Sequence, residues 1–197
     1  MTILEIIGIL AGILSASAYI PYIKDVLARK TQPERASWLI WAVLTSIAFF
    51  SQFAKGASSS LWLSGLETIG ITIVLLLSLK FGIGGLTKRD LFALFAASVG
   101  LILWYFTHEP AIALYIIIGI DAIGTVITIQ KAYTHPESET MSTWVLVCCA
   151  GILSMIAVGG LNIILLSYPF YIFAANGAIA LAMILGTKNH KMRTYKN

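Results

Sequence analysis

Seven long apolar runs, separated by short polar or glycine-rich stretches, account for most of this 197-residue chain. They cover residues 3–23, 37–54, 61–79, 91–107, 111–130, 141–159 and 163–186. A helix needs about 20 predominantly apolar residues to cross about 30 Å of hydrocarbon, so each run has the length of one crossing. Hydrophobic residues make up 58% of the chain and charged residues 11%, where a soluble domain carries roughly 45–50% and roughly 25%. The runs are continuous rather than alternating, which predicts helices and not barrel strands, because a helix satisfies its own backbone inside lipid. The expected fold class is an all-α integral membrane protein with seven transmembrane helices, and the first run, which lacks a basic leader, is expected to stay as a helix.

The basic residues orient the spans. Lys24, Arg29, Lys30 and Arg35 follow the first run, Lys80, Lys88 and Arg89 the third, Lys131 the fifth, and Lys188, Lys191, Arg193 and Lys196 the seventh. Only Lys55 falls on the other side, so the positive-inside rule predicts an outer N-terminus and a cytoplasmic C-terminus. The net charge of +4 is thus a topological signal, and no nucleic-acid partner is expected. The partners are the bilayer, a small-molecule substrate and a possible second copy; the expected location is a plasma membrane of the bacterial inner-membrane type. Cys148 and Cys149 are adjacent, a spacing without ordinary disulfide geometry. With three scattered histidines they make no zinc set, and neither metal nor cofactor is expected.

The chain repeats itself. In "KTQPERASWLIW" and "THPESETMSTW", Pro33, Glu34 and Trp41 recur 103 positions later as Pro136, Glu137 and Trp144. The same offset carries one helical face of the second run (Ser37, Trp41, Thr45, Ala48, Gln52) onto one face of the sixth (Thr140, Trp144, Cys148, Gly151, Met155). The repeat therefore comprises runs one to three and five to seven, with the fourth between them. An odd helix restores the orientation of the second copy, so the copies are parallel and related by an axis along the membrane normal. The expected units are residues 1–80, a linker and fourth helix over 81–109, a second unit over 110–188 and a cytoplasmic tail over 189–197. Trp41 and Trp144 are either cavity walls or members of an interfacial aromatic belt. Pro21 marks either a hinge within the first helix or its end.

"YIPYIKDVLARKTQPERAS", residues 19–37, resembles the PQ-loop signature of the SWEET and SemiSWEET sugar transporters: a proline near the inner end of the first helix, a basic residue three later, another basic residue, then a polar loop into a serine. The Pro-Gln dipeptide reads Pro21-Tyr22 here and Gly124-Thr125 in the second copy. The resemblance implies a 3+1+3 bundle and a substrate site between its units, with wider relatives that carry vitamins or amino acids or serve as retrieval receptors. It also implies paired hydrogen-bonding residues in the third and seventh helices. Asn176 fits that role; Glu67 is expected at the matching depth, with a longer loop before the seventh span accounting for the slipped offset. A carboxylate there hints at an amine-bearing substrate or proton coupling.

Asp121 lies near the middle of "ALYIIIGIDAIGTVITIQK" with no lysine or arginine in the surrounding run. An acid at mid-membrane costs roughly 2.5–3.5 kcal/mol on insertion scales, so it must face the bundle interior, find a partner or exchange a proton. Thr125 and Thr128 extend a polar stripe from it toward the inner end. Asp121, with Pro21, is the expected proton-coupling or gating element; the alternative is a structural hydrogen bond. Glu67 could instead snorkel, and Asn176 could be helix–helix glue. Tyr168 and Tyr171 either line an outer vestibule or, as the better-supported reading, sit at the headgroup level; Glu5 is expected at the outer interface, and Glu34 and Glu137 as helix caps. Residues 80–90, rich in glycine, are expected to strap the chain to the fourth helix.

No nucleophile elbow, metal-binding helix or phosphate loop appears, and an enzyme is not expected. The expected function is a carrier of a small polar solute working by alternating access, with Trp41, Glu67, Trp144 and Asn176 around the substrate. The rival is a non-transporting receptor or scaffold on the same bundle. A third possibility is a subunit that associates through Gly8, Gly12 and Ser15.

Overall fold

The computed structural model describes residues 1–29, 33, 35–82, 87–134, 136 and 141–194. Among them are seven helices and no strand: α1 (Ile3–Leu27), α2 (Arg35–Ala54), α3 (Leu61–Phe81), α4 (Lys88–Thr107), α5 (Pro110–Thr134), α6 (Met141–Ala157) and α7 (Ile163–Thr194). Every apolar run lies in a helix except for the last two residues of the sixth, Val158 and Gly159, which follow the end of α6. Three helical segments, Ile3–Leu27, Leu61–Phe81 and Ile163–Asn189, are long and apolar enough to cross a membrane, and Trp38–Ala54, Leu94–Thr107, Pro110–Ala122 and Met141–Ala157 are shorter apolar stretches. The expected caps Glu34 and Glu137 and most of the glycine strap lie outside the described residues, as do the side chains of Ser37 and Gly124 and the whole of Thr140.

Local chemistry sets several helix ends. Thr2 and Glu5 form a reciprocal capping box at the start of α1, each accepting a backbone N–H of the other, so Glu5 satisfies a helix terminus rather than merely marking an interface. Pro21 lies inside α1, which continues to Leu27. The helix-end reading of this proline is thereby corrected: a proline in a helix interior withholds one backbone N–H and weakens the rod locally without stopping it. The segment expected as the cytoplasmic tail is helical as far as Thr194, as a continuation of α7.

The helices pack as a ring. α1 lies on α3 and α6, α2 on α3 and α5, and α7 joins α5 to α6, while α4 leans on α5 and α2. Exchanging α1 with α5, α2 with α6 and α3 with α7 maps this pattern onto itself. The turns agree. Gly56 and Gly159, 103 residues apart, both have positive φ (82° and 73°), and each donates its N–H at 3.0 Å to the carbonyl three residues back, Phe53 and Ile156. A left-handed turn there favours glycine. We refer to the end holding these turns as the upper end, α1–α3 as the first trio and α5–α7 as the last trio.

The packing is inverted relative to a water-soluble bundle. On α1 the small residues Gly8, Ala11, Gly12, Ser15 and Ala18 are buried, whereas Ile6, Leu10, Ile13 and Ile20 face outward, as do Phe92, Phe95 and Phe106 on α4. Large apolar side chains suit lipid, and small ones let helix backbones approach. Gly8 abuts the Ser59 carbonyl and Gly12 the Trp62 carbonyl. These residues are consumed inside the bundle, which overturns their reading as a surface for self-association.

A Cβ at Gly8 would overlap the Ser59 carbonyl, while one at exposed Gly119 would meet nothing within 4 Å. Gly8→Ala should therefore lower stability by about 1–3 kcal/mol, and Gly119→Ala should be neutral or stabilising by up to about 1 kcal/mol. Thermal unfolding of both variants in one detergent checks this; equal midpoints would refute the close approach.

Candidate functional site

α7 enters from the upper end and presents Tyr168 and Tyr171 one turn apart. The Tyr168 hydroxyl donates to Glu67 Oε2 on α3 at 2.8 Å, and the Tyr171 hydroxyl donates to Asp121 Oδ2 on α5 at 2.5 Å. The Thr125 hydroxyl lies 2.9 Å from the Tyr171 oxygen and extends this network along α5. The Trp41 indole N–H, from α2, faces the same Asp121 carboxylate. Glu67 and Asp121 are close enough for their charges to interact. One helix thus serves two acids that the chain places on different trios.

The headgroup reading of the two tyrosines is overturned. Tyr168 is 5% exposed, and both hydroxyls go inward to carboxylates. The reason is stoichiometric: apart from Glu5 in the first-turn cap of α1, the apolar runs supply two acids and no lysine or arginine, so neutral O–H and N–H donors must satisfy the carboxylate oxygens. That need was a usable signal, since Tyr168 and Tyr171 share a helical face.

Depth explains why Glu67 meets Tyr168 and not Asn176. Glu67 is the seventh residue of α3, Tyr168 the sixth of α7 and Asn176 the fourteenth. At 1.5 Å per residue Asn176 lies roughly 10 Å deeper. The expectation of a matched Glu67–Asn176 level is corrected, because five residues separate α6 from α7 and six separate α2 from α3, so the later loop is the shorter one. The Asn176 amide donates to the Ile172 carbonyl of its own helix at 2.8 Å.

The tryptophans occupy unequal surroundings. Trp41 is 38% exposed, with its ring 5.2 Å from that of Trp38, which in turn lies 5.1 Å from Tyr22 and 6.5 Å from Tyr19. Trp144 packs with Met141 against Ala132, Ile179 and Met183, and its buried Nε1 has no partner. Asp121 shifted by the repeat offset is Ala18, so the acceptor that faces Trp41 has no counterpart for Trp144. The site brings together Trp41, Glu67, Asp121, Tyr168 and Tyr171, with Tyr19 close below Glu67 against Gly70. Trp144 and Asn176 lie in or beside the last trio's own core, and Pro21 is exposed on α1.

Two apolar clusters belong to single trios: Trp38, Ala42, Ile71 and Val74 with Tyr19 and Tyr22 in the first, and Ala132, Ile179, Ala182 and Met183 in the last. A third cluster draws on all seven helices, including Leu44, Ala48, Leu63, Leu114, Ile117, Ala150 and Tyr168. Its members concentrate in the upper half. Apart from the Trp41 indole facing Asp121 near the middle of the bundle, the hydrogen bonds follow the same division. Glu67–Tyr168 and the Ser154 hydroxyl on the Ser60 carbonyl join the trios in the upper half, whereas Arg35 on the Ser78 carbonyl and Asn189 on Tyr133 stay within one trio at the lower end. A separate apolar groove of about 660 Å³ between α2, α3 and α4, lined by Leu39, Val43, Phe50, Leu75, Leu101 and Trp104 among others, contains none of the site residues. Among the described residues no group of three or more metal-ligating side chains converges.

Removing the Tyr171 hydroxyl deprives half-buried Asp121 of its short bond, and Tyr171→Phe should cost about 1–3 kcal/mol. Adding Asp121→Asn should recover part of that loss, since a neutral amide needs less compensation; a thermal-unfolding double-mutant cycle with zero coupling would contradict the bond. Compared with known proteins, the chain matches no family model, no curated protein and no solved structure.

Proposed function

We propose that this protein is a seven-span carrier of a small polar solute, in which the two trios rock about a site near mid-membrane that takes up and releases protons through Asp121. The observation that carries this reading is the unequal cohesion of the two ends. At the upper end the trios share one apolar core and buried hydrogen bonds; at the lower end each trio has its own core. Bodies that are firmly packed within themselves, and joined at one end, are suited to rigid rocking. Trp41 and half-buried Asp121 lie where the cohesion changes. In this reading the lower end, where the basic residues gather, is the cytoplasmic one by the positive-inside rule, and the arrangement is then an inward-facing one in a plasma membrane of the bacterial inner-membrane type.

Within this reading Trp41 and the aromatic rings of Tyr19, Tyr22 and Trp38 form the wall, and Glu67 and Asp121 supply acceptors. Trp144 and Asn176 would join only if the last trio turned toward the gap. Proton coupling requires that proton and solute affinities depend on each other reciprocally. Residues 80–90 and α4 hold the trios in one chain and take no chemical part. The resemblance to the SWEET and SemiSWEET families points the same way and leaves the solute class open among sugars, amino acids and vitamins.

The test is flux in proteoliposomes, after a thermal-shift screen of those solute classes on purified protein. An inward proton gradient should accelerate uptake of the solute, and Asp121→Asn should abolish that acceleration while leaving downhill exchange measurable. Binding without any flux would favour a receptor. Flux indifferent to the gradient and to Asp121→Asn would remove the coupling.

A further inference from the structure

Of the two tyrosine–carboxylate bonds, only one crosses between the trios. Tyr171 and Asp121 both belong to the last trio, so their bond survives any rigid motion of one trio against the other. Tyr168 belongs to the last trio and Glu67 to the first. The second bond is also the better sealed, with Glu67 6% and Tyr168 5% exposed, and Tyr168 is itself part of the shared upper core. No opening of the upper end by separation of the trios can leave it intact.

We propose that the Glu67–Tyr168 pair is the latch that holds the upper end shut, and that a proton on Glu67 releases it. The reading rests on the two-trio description above but not on transport itself. A hydroxyl bonded to an ionised carboxylate is shorter and roughly twice as strong as one bonded to a neutral carboxyl group. The ionised acid therefore holds the trios together, and the protonated acid holds them less tightly. Falling pH loosens the upper end; rising pH restores it.

The neighbours of Glu67 leave it free to act in this way. Tyr168 faces it from α7 and Tyr19 from α1, and Asp121 acts on it from α5. α2 carries one ionisable side chain, Arg35, which lies at the lower end on the Ser78 carbonyl, and α6 carries only Cys148 and Cys149. On α3 itself the other ionisable group is Lys80, in the last turn. Among the described residues no cation competes with Tyr168 for the carboxylate. Beyond the shared apolar core and the approach of Trp41 to Asp121 near the middle of the bundle, two other polar contacts cross at the upper end among the described residues: the Ser154 hydroxyl on the Ser60 carbonyl at 3.2 Å, and Lys55 with Glu109 at 2.5 Å, where the Glu109 side chain is 55% exposed. The first is uncharged and the second is largely in solvent, where an ion pair is worth about 0–1 kcal/mol. Neither matches a buried charge-assisted bond.

Distance measurement by double electron–electron resonance tests the latch without a solute. Spin labels at Ser58→Cys and Leu161→Cys, in a Cys148→Ser/Cys149→Ser background reconstituted in nanodiscs, report the upper ends of the two trios. Both label sites are exposed. Lowering the pH should build a longer-distance population, and Tyr168→Phe should raise the ratio of long to short distances by about tenfold at neutral pH. Glu67→Gln, of nearly the same shape as the acid, should populate the longer distance at every pH and abolish the pH response; it carries the test if Tyr168→Phe does not fold. Tyr171→Phe should leave the distribution as in the parent. Unchanged distances in Glu67→Gln, or opening by Tyr171→Phe equal to that of Tyr168→Phe, would overturn the latch. A pH-dependent distance change in a protein that moves no solute would keep the latch while removing the carrier.

Discussion

Two carboxylates among apolar helices, with no cation beside them among the described residues, impose a condition that the rest of the bundle must meet. Their oxygens need donors that hydrocarbon cannot supply. Tyr168 and Tyr171 meet the condition from a single helix, and in doing so they fix the rotation of α7 about its own axis and its depth relative to α3 and α5. The Trp41 indole adds a donor from the other side of the ring. The packing of α7 between α5 and α6, and its approach to α3 through Tyr168, follow from the same few groups.

A second constraint is geometric. Small residues on α1 bring its backbone against the α2–α3 turn and the first turn of α3 at Ser59 and Trp62, and the large apolar residues of the same helix face outward. That distribution leaves little volume inside the upper half for anything but interlocked side chains, which is why a cluster with members from every helix forms there. Toward the lower end the aromatic residues of α1 and α2 pack onto α3, and Trp144 of α6 packs onto α5 and α7. Each trio thus acquires a private core. Strong cohesion within a trio, and weaker cohesion between trios at one end only, is a mechanical asymmetry that a fully shared core would not possess.

The two copies of the repeat have diverged at the point of chemical interest. Their turns remain superposable in pattern at Gly56 and Gly159, and their tryptophans keep the 103-residue spacing. The acid beside Trp41 is absent beside Trp144, where Ala18 stands at the equivalent position and the indole N–H is left without an acceptor. Symmetry therefore describes the scaffold, and its breaking describes the site.

Helix positions and class were legible in the residues, because apolar length and continuous hydrophobicity are local properties that a helix in hydrocarbon obliges. The repeat was legible for a similar reason: turn chemistry and tryptophan spacing survive as sequence offsets. The importance of Asp121 and Glu67 could also be read directly, since an acid in an apolar run is conspicuous. Their partners could not. A tyrosine near a helix end is equally at home among headgroups or against a buried acid, and the choice depends on the rotation and depth of α7 in the ring. The expected Glu67–Asn176 match failed because it counts from the inner ends of two helices, and α7 runs 32 residues where α3 runs 21, a difference in length that the apolar runs alone do not reveal. Whether Gly8 and Gly12 serve self-association or internal packing likewise rested with the fold, because a small residue marks a close approach without naming which backbone approaches.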